Sequence, residues 1–279
     1  MSAIVTRASS AFVQMRRRRI DATALQLGIQ TAFIVLFLAS WELGARLGLI
    51  SPFLVGSPSG IWTVLVKSVQ SGSLFVDTWI TLYEAILGFV LGTIAGSAIG
   101  LALWYSPFVA RLVELLVVAI NSVPKIAFAP IVILWFGTGL ISKVALAISL
   151  TAIVALIAAY QAAKDADPDL QALMLTFGAS KHSVFYNVVV PSTLPAMIAT
   201  FRINVGFGLV GAVVGEFISS QNGLGHLIFT ASSLYDLDTV WLGLFMLMLI
   251  GFALYFIIDY IERAALPWKQ QGAAPAVRV

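Results

Sequence analysis

An all-α bundle of about six membrane-spanning helices is the fold class this sequence predicts, and three observations carry the prediction. Apolar residues make up 60% of the 279 positions and charged residues only 10%, with a mean hydropathy of +0.98. A soluble domain usually carries about 25% charged residues, and so little charge could not cover a water-soluble globule of this size. The charges that exist also leave long gaps, which supply the roughly 20 apolar residues a membrane helix needs. Soluble enzymes, nucleic-acid binders and disordered scaffolds are therefore poor fits. The net charge of +3 is too small to argue for a polyanion partner.

The spans follow in order. Residues 22–48 open with an uncharged run after Arg16-Arg17-Arg18-Arg19, and no small-residue cleavage site marks that run as a signal peptide. Ser57 and Pro58 then form a good N-cap and first-turn pair. Ile61, Leu65 and Val69 recur every four residues, so a short external helix is expected against the bundle or the interface. Span two covers about 79–104 and span three about 112–136, the latter interrupted by Asn121, Pro124 and Lys125. Span four covers 144–163; span five, about 196–219, carries Arg202 and Glu216; span six covers 239–258.

Six crossings return both termini to one side. That side collects eleven Lys and Arg residues, against three (Arg46, Lys67 and Lys143) on the other. The positive-inside rule then puts both ends in the cytoplasm. The expected organisation is a basic cytoplasmic arm (1–21), a transmembrane domain (22–268) with a cytoplasmic loop at 164–191, and a cytoplasmic tail (269–279).

Gly88, Gly92, Gly96 and Gly100 lay a smooth strip along one face of span two. Such a strip marks close helix–helix packing rather than a ligand site. Gly206 to Gly211 spells GxGxxG, yet no strand precedes it and no acidic residue follows at the required distance, so no dinucleotide site is expected. The absence of cysteine and the wide separation of His182 and His226 leave no metal motif.

The loop after span four is the informative segment. Asp167 can cap, Pro168 suits the first helical position, Asp169 favours the first turn, and Gly178 is a natural stop. The result is a helix of about ten residues, roughly 15 Å, too short to span. Leu170, Leu173, Met174 and Phe177 fall on one apolar face. That face needs a cover: its own bundle, the membrane surface, or a groove on a partner protein. Asp165, Asp167 and Asp169 mimic the start of a calcium loop, but Leu170 and Thr176 stand where that loop needs its glycine and glutamate.

Here the sequence resembles the permease subunits of type I ABC importers. Their cytoplasmic loop reads Glu-Ala-Ala, three residues, Gly, nine residues, Ile, one residue, Leu-Pro. Gly178 is followed after nine residues by Val188, Val189, Val190 and Pro191, whereas Ala172, Leu173 and Met174 replace Glu-Ala-Ala. The runs Val123 to Pro130, Leu134 to Gly139, Gly211 to Phe217 and Gly223-Leu224-Gly225 are similar to the branch importing nitrate, taurine and aliphatic sulfonates, and to its pyrimidine-precursor and riboflavin relatives.

The resemblance implies a bacterial inner-membrane protein working with a second permease subunit, identical or not. It also implies two cytoplasmic ATPases, which hold the ATP and magnesium, and an external substrate-binding protein. This chain itself would hold no cofactor and bind no nucleic acid; its other contact would be lipid. The loop helix (Asp169, Leu170, Leu173, Met174, Phe177, Gly178) would dock the ATPase. No phosphate-binding loop motif occurs in this chain, so ATP hydrolysis is expected elsewhere.

Charges and breaks inside the membrane mark residues for a translocation path: Asn121, Pro124, Lys125, Arg202 and Glu216. For the first three, a proline kink that shapes packing alone is the competing reading. For Arg202 it is snorkelling or pairing, and for Glu216 a helix–helix contact. A self-sufficient secondary transporter or channel is the alternative function, although no convincing internal repeat supports it.

Overall fold

The computed structural model describes residues 25, 26 and 28–265; the basic arm and the tail lie outside them. The described chain begins with α1 (Gly28–Arg46). It continues with α2 (Pro52–Val55), α3 (Pro58–Ser71), α4 (Ser73–Ala102), α5 (Pro107–Asn121) and α6 (Ala129–Phe136). Then come α7 (Leu140–Lys164), α8 (Pro168–Thr176), α9 (Lys181–Val184), α10 (Val190–Ser219), α11 (Leu224–Ser233) and α12 (Leu237–Ala265). Among the described residues five stretches are long and apolar enough to cross a membrane: α1, α4, α7, the continuous helix at 181–219, and α12.

Where the sequence predicts span three, the structure has a sharply bent helix pair rather than one interrupted span. α5 ends at Asn121, and the helical segment at 125–136 leaves it at an angle of 86°. Pro124 explains the break, since it offers no amide hydrogen and disfavours helical geometry at Val123.

α4, α7 and α10 form the core. α4 and α7 run parallel, and a stripe of small residues on each face lets their backbones touch. A methyl group at Gly88 would strike the Ala147 side chain, at Gly92 the Thr151 hydroxyl, and at Gly96 and Gly100 the carbonyls of Ala152 and Leu156. α10 runs the other way and presses Gly211 onto the far side of Ala147, which is fully buried. In lipid no hydrophobic gain drives helices together, so this contact rests on dispersion between closely spaced backbones. A polar seam ties the three helices at mid-height: the Asn204 amide donates to Thr93 Oγ1 at 2.7 Å and to the Thr151 carbonyl at 3.0 Å.

α3 starts where the sequence places it, with Ser57 Oγ accepting from the Gly60 amide at 3.1 Å. It lies against the bundle, burying Ile61, and the Ser57 amide donates to Asp238 at the head of α12. At the opposite end a second apolar cluster joins Ala163, Ala166, Phe185 and Val189 to Trp104 and Tyr105. There the helix widens into a π-helical turn over Phe185–Val189, which ends two residues before Pro191, a residue with no amide hydrogen to continue the ladder.

Candidate functional site

The loop helix α8 is built by its caps. Asp167 Oδ1 accepts from the amides of Asp169 and Leu170 at 2.9 and 3.2 Å, and Pro168 takes the first turn. At the other end Gly178 adopts φ +82°, the Ala179 amide reaches back to the Met174 carbonyl, and the Gly178 amide reaches Leu175. This pairing closes the helix and requires a residue free to be left-handed.

No residue of α8 is buried. Leu170, Leu173 and Leu175 are about half exposed, and Phe177 stands 82% exposed. Of the covers open to the apolar face, this chain's own bundle is therefore not the one used. Asp169 sits exposed in the first turn and Met174 is half-buried.

The five residues marked for a path do not converge. Asn121, Pro124 and Lys125 gather at the break between α5 and α6, with Asn121 and Pro124 exposed. Arg202 instead pairs with Asp259 at 2.6 Å and with Glu262, both on α12, and stands over the Tyr255 ring. Glu216 is fully buried, accepting from Thr81 Oγ1 at 2.7 Å and from the Gly225 amide at 2.6 Å. Each of these two charges is held by a neighbouring helix.

Sequence reasoning missed the polar network that surrounds Glu216. Lys143, read as a charge on an external connection, is 6% exposed inside the bundle. Its ammonium pairs with Glu84 at 3.1 Å and donates to Ser220 Oγ at 2.8 Å. Asp77 accepts from the Gly223 amide and Thr81 from the Leu224 amide, each at 2.8 Å. Together these side chains fasten the 220–223 connection and the start of α11 onto α4, α7 and α10. Gly223, at φ +109°, lies so close to Glu216 that any side chain would collide with it. A cleft of about 540 Å³ opens beside this network, lined by Lys143, Thr138 and the connection itself. The available signal was Glu84, a lone carboxylate inside an apolar run.

Residues 88–266 match the family described as binding-protein-dependent transport system inner membrane component. The chain belongs to this family. The permease is 32% identical over 241 residues to the formylaminopyrimidine transport permease protein ThiX of Halalkalibacterium halodurans, covering 86% of this chain and 96% of that one. It is 30% identical to the riboflavin transport system permease protein RibX of Chloroflexus aurantiacus, over 90% of this chain and 93% of the relative. With the taurine transport system permease protein TauC of Escherichia coli it shares 26% identity, over 87% and 90%. The inward-facing MetNI methionine ABC transporter shares the fold, with a TM-score of 0.60 at 20% identity over 67% of this chain and 94% of that one. The chain is thus an ABC importer permease of the inner membrane, a non-enzymatic multi-pass subunit.

Proposed function

We propose that this permease pairs with a second permease subunit to enclose a path for a small polar organic solute or anion, of the sulfonate, taurine, nitrate, pyrimidine or riboflavin type. An external protein delivers the solute, and two cytoplasmic ATPases, which carry the ATP and magnesium, dock on the α8 helices. Both termini lie in the cytoplasm. The observation that carries the reading is the uncovered apolar side of a doubly capped helix placed outside the crossings. A rigid, preformed helix loses little entropy on entering a groove, so it anchors a partner better than a flexible loop. Ala172, Leu173 and Met174 offer no glutamate to that groove, so docking rests on Leu170, Leu173 and Phe177.

The test is co-purification of an ATPase with the permease in mild detergent. Leu173→Asp and Phe177→Asp should each reduce ATPase recovery about tenfold or more, as for loss of a buried interface anchor, while leaving membrane insertion intact. Undiminished recovery in both variants would remove α8 as the docking element.

A further inference from the structure

We infer that the Trp104–Tyr105 elbow after α4 passes movement of α8 to the bundle, with Lys181 and His182 as the positioning residues that hold it; the inference rests on α8 being the ATPase contact. Because α8 buries none of its own residues, it has little purchase on the core by itself. The loop is instead gripped at its two ends. Ala163 and Ala166 sit in the second apolar cluster, and Phe185 enters the same cluster from the far side of the loop.

Between them stands a clasp of specific geometry. Lys181 Nζ donates to the Tyr105 carbonyl at 2.7 Å, and the same ammonium lies 5.4 Å from the Trp104 ring and 5.8 Å from the Tyr105 ring. Tyr105 Oη and His182 Nδ1 are 3.1 Å apart, and the Tyr105 and Phe185 rings pack at 4.7 Å. A cation at the last carbonyls of a helix is held by both charge and hydrogen bond.

The elbow is well placed to redirect motion. Tyr105 is followed at once by Ser106, whose hydroxyl caps α5, the helix that leads to the break at Asn121 to Lys125. A push on Lys181 therefore reaches both α4 and the broken crossing. The π-helical turn at Phe185–Val189 lies in the same cluster and supplies a yielding point between clasp and α10.

The chain has no cysteine, so single labels are clean. Spin labels at Thr176→Cys and Val123→Cys in the purified permease–ATPase complex report the distance between α8 and the break, with and without ATP plus vanadate. In Lys181→Met the ATPase should co-purify normally, while the fraction of molecules that change distance falls about fivefold or more, a coupling of ordinary allosteric size. Lys181→Arg keeps the charge and the donor and should retain the change; Tyr105→Phe, which loses only the His182 contact, should fall between.

A Lys181→Met complex that shifts like its parent would overturn the inference, and so would loss of the ATPase from that variant. A parent chain that recovers no ATPase would instead remove the docking reading beneath it.

Discussion

Glu84, Lys143 and Ser220 meet inside the bundle, where the lysine serves a carboxylate from one helix and a hydroxyl from a connection. A buried pair of this kind adds little net stability, because desolvation consumes much of the attraction. Breaking it is costly, since one charge is stranded. Lys143→Met should therefore destabilise the detergent-solubilised protein by about 3–5 kcal/mol. The double variant Glu84→Gln with Lys143→Met should recover part of the loss, as coupled neighbours do. Thermal unfolding of both variants checks this, and an unshifted Lys143→Met midpoint would refute it. The same logic shows why these residues were hard to read. Their sequence neighbours are apolar or small, and the contact joins positions 59 apart, which no local period reveals. Arg202 was legible as a charge needing a partner, but Asp259 was not legible as the one it has.

At the scale of the element, legibility tracked periodicity and caps. The glycine strip of α4 is a four-residue repeat that survives in the structure as a contact face, and Ala147, Thr151 and Ala159 answer it on α7, each fully buried. The caps of α8 were equally plain, because Asp-Pro before and Gly after are chemical signals rather than patterns. The 86° bend was not: Pro124 announces a break, but its angle depends on what the two halves pack against. Gly96→Ala tests the strip. Its methyl group would meet the backbone carbonyl of Ala152, which cannot rotate aside. Overpacking of this kind should cost about 1–3 kcal/mol, measured as a lowered thermal midpoint. A control at Gly28, where a methyl would meet nothing nearby, should leave the midpoint alone.

For the whole molecule the expected number of crossings emerged from gaps between charges, and the family from a few short motifs. Orientation rests on the distribution of Lys and Arg. With Lys143 inside the bundle, the sparse side keeps only Arg46 and Lys67 of its three, which sharpens the asymmetry. Single cysteines at Ser71 and Thr176, both exposed, decide it. An impermeant maleimide added to intact cells stripped of their outer membrane should label Ser71→Cys and leave Thr176→Cys untouched until the membrane is opened. The reverse pattern would invert the topology.

Ala147 is clamped between Gly88 of α4 and Gly211 of α10. Three backbones locked at one alanine behave like gears with meshed teeth: none can slide along its neighbour without lifting out of contact. A transport cycle run by such a subunit must turn α4, α7 and α10 as a single block. The change of shape then falls to the segments at its margins, the bent α5–α6 pair and the helices that lean on the block from outside.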